Sequence, residues 1–416
     1  MALTFTTADS ALKEFYLPAV REQLNNTNLL LSQIEKDTVN IEGRRAVLSL
    51  HVSRNSSVGA RSEGAALPGT VSSGSTSIGN EGYAEERIPI KHVYGRIQIS
   101  GPIMRAMRSD RGSFIRALDS QMKGVTQSLK KDVNRQLWGD ASGKIGLGLA
   151  VNTATNTLTL NASTTRVTQR QLQVGMVIDI GSAANSTLQA EARTITAVSF
   201  STLPGTITIS GAAVTTAATD FIFRSGINPG GAALGVELTG LSGIVKATGT
   251  LFNVDPTVTP VWASHVNSNS GTNRTVTENL FASVMHNVNI LSGDDINMWL
   301  CSDGVFRAFA LQLTAQKRFN NTLDMKGGFK GLDVAAGGGS IPLAWDLDCP
   351  SNNAFGLNTA HLTEFVSSDW SWMDEDGAVL SRRPNIEAYE ATLYKDLELG
   401  TDMRNAHGLL SDLTEA

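Results

Sequence analysis

Hydrophobic positions keep a helical period over one long stretch, Arg111 to Trp138. There Phe114/Ile115, Leu118, Met122, Val125, Leu129, Val133 and Leu137 recur every three or four residues, which places them on one stripe of a 3.6-residue helix. Ser113 stands where it can cap the first turn. Arg111, Arg116, Lys123, Lys130, Lys131 and Arg135, with Asp119 and Asp132, take the other faces. At 1.5 Å per residue the helix runs about 40 Å, more than twice an average one. With a single apolar stripe it cannot thread a core, so it must lie across one face of a sheet. Strand-like sequence suited to that sheet stands at Ile88–Ser100 and at Glu387–Leu399.

The rest of the chain is organised around that rod. Residues 1–52 predict an arm: a short helical signal with Pro18 in its first turn ahead of Ala19, Val20 and Leu24, then Leu29–Leu31 and Ile34 in an amphipathic piece, then a strand over Ala46–Val52. Leu29, Leu30 and Leu31 need cover from outside that segment. Ser53–Glu86 is rich in Gly, Ser and Ala and holds almost no large apolar residue, so it cannot build a core. Strand-like sequence on either side of it predicts a long two-stranded hairpin projecting from the body. Gly139–Gly148 predicts a hinge. Beyond it, Thr157–Leu160, Met176–Ile180, Glu191–Phe200, Thr206–Ile209 and Asp220–Arg224 predict short strands of a small β domain inserted into the chain. Residues 227–350 alternate helix and strand: a helix over Thr277–Leu291 with Thr277 as cap, a buried strand at Ile296–Leu300, and a second helix capped by Ser302. Glycine-rich Lys326–Ser340 predicts a turn or flexible loop.

Composition narrows the function more by exclusion than by signature. A chain of 416 residues, 41% hydrophobic, is long enough for two or three cores. Its net charge of −5 and lack of a basic tail argue against general affinity for nucleic acid or an anionic membrane. No leader-like start and no apolar run of bilayer length is present. Cys301 and Cys349 stand far apart without ligand spacing and are expected to be free, structural thiols. Gly143-Lys144 is followed by Ile145 where a phosphate loop needs a hydroxyl, and Gly240-Leu241-Ser242-Gly243 is one residue short of a nucleophile elbow. Reading Asp374–Gly377 as a calcium loop puts Trp372 at the first ligand position and Arg383 at the twelfth. The histidines, His51, His92, His265, His286, His361 and His407, show no metal-ligand spacing. No catalytic residue, cofactor or metal ligand is expected, and the chain reads as a non-enzyme.

The last quarter carries the most distinctive sequence: IPLAWDLDCPSNNAFGLN from Ile341, DWSWMDEDGAVL from Asp369 and RNAHGLLSDL from Arg404. In order and spacing these resemble the C-terminal region of major capsid proteins of tailed double-stranded DNA bacteriophages. The likeness continues upstream through GLSGIVKATGTLFNV at Gly240 and IPIKHVYGRIQISGPIMRAMRSDRGSFIRALDSQMKGV at Ile88, and it covers most of the chain outside the predicted insertion.

The resemblance implies an α+β, Hong Kong 97-like phage capsid fold. Its parts would be an N-terminal arm at 1–52, an extended β-hairpin loop at 53–100, and a peripheral domain with the long spine helix at 101–145. An inserted β-rich domain at 146–226 would follow, then an axial α/β domain at 227–350, with peripheral return strands and a C-terminal axial segment at 351–416. It implies a virion shell protein, assembled in the host bacterial cytoplasm, that forms hexamers and pentamers of an icosahedral capsid around double-stranded DNA without sequence-specific binding. Expected partners are further copies of itself, a separate scaffolding protein, a portal protein and a decoration protein, with no membrane involved. An encapsulin-like nanocompartment shell and, in a different class, a β-rich surface or adhesion protein stand as alternatives.

Overall fold

The structure is a computed structural model that describes residues 29–38, 41–55, 57–64, 81–102, 111–145, 148–161, 165–182, 188–226, 235–315, 322–324, 330–336, 339–374 and 379–416. The helical signal around Pro18, the capping hydroxyl of Ser113, the Phe114, Ile115 and Leu118 side chains and the Glu375–Gly377 part of the acidic run lie outside the described residues.

The long helix forms over Arg111–Trp138. It lies against a five-stranded sheet whose centre is the 14-residue strand Ala388–Thr401. Leu362–Trp372 pairs antiparallel with one edge of that strand, and Glu35–Asp37 adds on in parallel beyond it. Lys91–Ser100 runs antiparallel along the other edge, with Tyr94 opposite Tyr394, and Ser381–Arg382 also pairs with the central strand. Alternation sets the buried face: Val93 and Ile97 point under the helix beside Leu129 and Val133. The approach is closest at Gly95, where a Cβ would stand 2.5 Å from Leu129 Cδ1 and 2.8 Å from Val125 Cγ1, so only glycine fits.

Two expectations need correction here. The strand foreseen at Ile88–Ser100 is two strands, Gly82–Pro89 in a small hairpin sheet and Lys91–Ser100 in the main sheet. The change of partner falls at Pro89, which has no N–H to give a ladder, and at Ile90, whose N–H goes to Arg44 O at 3.1 Å. Glycine-rich Lys330–Ala336 is a strand, paired antiparallel with Gly339–Trp345, rather than a loop. Leu332 and Val334 are buried in a core, and that burial outweighs the poor strand propensity of its glycine.

A second, seven-stranded sheet forms the body of the region expected from sequence to be axial, called the axial body below. From one edge its strands are His265–Asn267, Gly408–Leu410, Ala354–Leu357, Met298–Cys301, Gly339–Trp345, Lys330–Ala336 and Thr322–Asp324. Helices Glu278–Ser292 and Asp303–Ala315 bury Phe281, Val284, Val288, Val305 and Phe309 on it, and Phe281 meets Trp299 edge-on at 4.8 Å. Thr277 is the residue before the first helix but its side chain makes no capping bond, and the Ser302 hydroxyl donates to Glu415 at 2.5 Å. Residues 144–224 build a third unit with a six-stranded sheet, a two-stranded one and an aliphatic core of their own. The chain flanking this unit closes on itself: Gly235 N–H donates to Ala141 O at 2.9 Å, and further on Ser242 Oγ donates to Trp138 O, in the last residue of the spine helix, at 2.6 Å.

The last turn of the spine helix departs from the single-stripe picture. Arg135, Gln136, Leu137 and Trp138 are all buried, because the returning chain covers them. Glu237 takes both outer nitrogens of Arg135, at 3.0 and 2.5 Å, and Gln136 Oε1 accepts from Leu238 N at 3.3 Å. At Gly240 a Cβ would sit 2.3 Å from Leu137 O, which forbids any side chain at that crossing.

Candidate assembly surfaces

The hairpin pairs Arg45–Ser53 with Gly82–Pro89, His51 lying opposite Tyr83. Its two faces differ in kind, as period-two alternation requires. The inner face carries Ala46, Leu48, Leu50, Ala84, Glu86 and Ile88; Ala46, Leu50, Glu86 and Ile88 are buried against the same chain. Leu29 and Leu30, in the short helix Leu29–Gln33, join the main core beside Leu50, so the cover they need comes from their own chain. The outer face is open: Tyr83 is 69% exposed, His51 meets its ring at 5.5 Å and Glu81 at 2.6 Å, and Arg87 forks onto Glu85 at 2.9 and 3.0 Å. Past Val52, no described residue of the ascending leg is buried. The base is therefore seated on the body, while the described glycine-serine chain beyond it makes no core.

Charge inside the seat is unusual. Neither oxygen of Glu86 has a hydrogen-bond partner among the described residues, and burial, with the charge of Asp402 adding to it, pushes its carboxyl up to about 9. Two other acids of the main sheet have cationic partners. Lys395 meets Glu364 at 2.5 Å between two central strands, and Asp369 binds Lys36 of the parallel edge strand at 3.0 Å. Burial raises Glu398 to about 8 although it accepts from Thr239 N at 2.7 Å and Leu399 N at 3.0 Å.

The C-terminal motifs act as fasteners between segments far apart in sequence. Arg404, 1% exposed, donates to Ile244 O, Gly249 O and Thr248 O at 2.7, 3.0 and 3.4 Å. Asn405 donates to Leu291 O at the end of an axial helix. His407 accepts from Asn358 N and meets Thr401 Oγ1 at 3.0 Å, and burial, aided by the nearby His361, holds it down at about 3. Trp370 and Trp372 fill the core under the sheet, and Asp346 and Asp348 both take the amide of Asn134 on the spine helix, at 2.9 and 2.7 Å.

Large aliphatic side chains also stand in solvent. Ile290 and Leu291 stand in the last turn of one axial helix, Val258 precedes the turn at Pro260–Trp262 and Val261 lies within it. Both places border the Arg404–Ala406 turn. Four exposed aliphatic side chains near one turn make this a candidate contact surface.

The remaining candidates for chemistry stay dispersed. His51, His92, His265 and His286 stand in separate places on the hairpin, the main sheet and the axial body. His361 is the exception, held between Asp402 at 2.9 Å and Asp294 at 3.1 Å. That cluster was invisible in sequence because its members lie 41 and 67 residues away. Among the described residues no group of three or more His, Cys, Asp or Glu is placed to hold a metal ion. Cys301 and Cys349 are free and buried, and burial pushes both thiols up. No helix among the described residues is long and apolar enough to cross a membrane.

No protein-family model matches the chain, and no curated protein matches it by sequence. Solved structures do. The capsid asymmetric unit of cyanophage A-1(L) is similar at a TM-score of 0.55 with 13% identity, over 93% of this chain and 93% of that one. The capsid of an empty GTA particle follows at a TM-score of 0.45, 10% identity and 93% and 91% coverage. The SrpI encapsulin of Synechococcus elongatus stands at 0.40, 11%, and 80% and 78%. The likeness to the cyanophage subunit shows the fold: this chain has the mixed α/β, Hong Kong 97-like fold of phage capsid subunits.

Proposed function

We propose that this chain is the major capsid protein of a tailed double-stranded DNA phage, a non-enzymatic tile that assembles with copies of itself into the hexamers and pentamers of an icosahedral shell. The observation that carries the reading is the capsid-subunit fold, which spans 93% of both chains in the cyanophage comparison. The parts have the properties such a tile needs. A rod crosses one sheet, a fastened axial body presents aliphatic patches, and a hairpin rises from a seated base into chain that builds no core of its own. Rings of identical subunits need a head-to-tail contact that closes, and several modest contacts per subunit then combine through avidity. The chain's net charge of −5 suits a wall that encloses DNA without gripping it.

The finer assignments belong to the same proposal. Residues 1–52 serve as the arm, the 53–100 segment, as far as the change of sheet at Pro89, as the extended loop, and 146–226 as an inserted surface domain. A scaffolding protein, a portal and a decoration protein are the partners, and the virion capsid, built in the host cytoplasm, is the location. Negative-stain microscopy of the purified chain tests the reading. Closed, uniform shells are expected, with nuclease-protected DNA inside particles recovered from infected cells. A monodisperse monomer at every concentration and salt tried would overturn it, and shells filled with a protein cargo would move it to the encapsulin-like alternative.

A further inference from the structure

Where the inserted unit meets the spine helix there is a cleft of 160 Å³, with room for roughly ten waters. Lys131, Arg135, Arg170 and Arg224 line it against Asp132 and Asp348, and with Glu237 standing behind Arg135 the cleft keeps an excess of one positive charge in a chain whose net charge is −5. The two acids are already shared among several donors. Asp132 accepts from Arg135 Nε at 3.2 Å and Gln136 at 2.9 Å, and pairs with Arg224 Nη2 at 3.1 Å. Asp348 takes Arg170, Asn134 at 2.7 Å and Gln171 at 3.3 Å. The two outer nitrogens of Arg135 are taken by Glu237 behind the cleft.

Counting donors against acceptors leaves a deficit of acceptors. A guanidinium offers five N–H groups and an ammonium three. Arg224 Nε is buried with no acceptor among the described residues, and Lys131 makes no ion pair among them. Water can hydrate the exposed ends of these groups, but a tetrahedral oxyanion accepts from a guanidinium fork and an ammonium together and brings the negative charge that water lacks. We propose that this cleft binds a phosphate oxyanion through Arg224, Lys131 and Arg170, and that the bound anion ties the inserted unit to the spine helix. Arg170 and Arg224 come from the inserted unit and Lys131 from the helix, so a shared anion stabilises their relative placement.

The phosphate could be free or part of a DNA backbone, and two ligands separate these sources: inorganic phosphate, and a duplex oligonucleotide without terminal phosphates. Each is titrated into the full-length chain against chloride of matched ionic strength, with calorimetry and thermal unfolding as readouts. Saturable binding of at least one is expected. It should weaken at least tenfold in Lys131→Gln/Arg224→Gln and be retained in Lys131→Arg, with the melt in chloride unchanged. If the double variant melts earlier in chloride, Lys131→Gln alone carries the test, since that side chain is exposed, with an expected loss of about fivefold. Absence of saturable binding by both ligands, a shift that chloride reproduces, or binding that survives the Lys131 substitution would overturn the proposal.

Discussion

Replacing Glu86 with glutamine removes one ionisable group from the seat of the hairpin while keeping the shape of the side chain. Glu86 is fully buried, without a partner for either oxygen among the described residues, and its carboxyl is raised to about 9 from an ordinary 4.5. The seated state therefore holds a proton that the open state has lost above pH 4.5. Stability is greatest at acid pH and falls as pH rises toward 9, by about 1.4 kcal/mol per pH unit. At pH 7 the deficit is about 3 kcal/mol, an upper figure because water entering the opened seam relaxes it. Glutamine carries no such slope. The two proteins should nearly coincide at pH 5, with the variant gaining steadily above it. Hydrogen exchange of the Gly82–Pro89 strand between pH 5 and 8.5, corrected for intrinsic rates, reads this directly: protection in the parent should fall several-fold per pH unit relative to Glu86→Gln. Parallel profiles would refute the reasoning, because they would mean that Glu86 keeps a partner or stays wet.

His407 supplies the opposite slope. Held at about 3 by burial, it must stay neutral in the folded chain, so stability present above pH 6.5 is lost as pH falls, by about 2 kcal/mol at pH 5; His407→Gln should flatten the acid limb of a denaturation series. Gly240→Ala should cost about 3 kcal/mol or more, since its Cβ meets Leu137 O at 2.3 Å, while Gly124→Ala, with nothing within 4 Å in an exposed helical position, should stabilise by about 0.5–1 kcal/mol; equal effects in urea titrations would contradict the packing described. Deleting residues 59–80 retains both hairpin strands and should give soluble, folded protein that forms no stable shells, as judged by circular dichroism and negative stain. Excising residues 143–233 with a short glycine bridge should leave the other two cores folded, because Ala141 and Gly235 already touch through their backbones; loss of cooperative melting would show that the inserted unit is structurally required.

The elements legible in sequence were those whose signal is local. The spine helix showed itself because one apolar stripe repeats over 28 residues, and Thr206–Ile209 and Asp220–Arg224 because short alternating runs stood between turn residues. What stayed hidden depended on distant partners. Pro89 breaks the ladder locally but does not say which sheet Lys91–Ser100 will join, and nothing in KGLDVAA announces a strand until Gly339–Trp345 pairs with it. Arg135 read as a solvent-facing residue because its acid, Glu237, lies 102 positions away. The RNAHG motif was recognisable without its purpose: the carbonyls Arg404 gathers are 155 to 160 residues upstream.

Those long-range fasteners also determine where the molecule can yield. The described segments are fastened by oriented, charged contacts: Arg135 of the spine helix to Glu237, Asn134 of the same helix to two aspartates, Arg404 to three carbonyls and, within the sheet itself, Lys395 to Glu364. Breaking any of these leaves a buried charge or donor unmet, at a cost of about 3–5 kcal/mol for a charged pair. The hairpin seat is of another kind. It is held mainly by non-directional aliphatic contacts from Ala46, Leu50 and Ile88, with a backbone bond from Arg87 N to Phe252 O, and its one buried carboxyl, which must take up a proton to be seated, opposes closure. Lifting the hairpin strands no ion pair and lets Glu86 ionise in water. Of the described seams, this is the one whose opening costs least, so a subunit that must adapt to unequal neighbours would flex there while the rod and the axial body keep their shape.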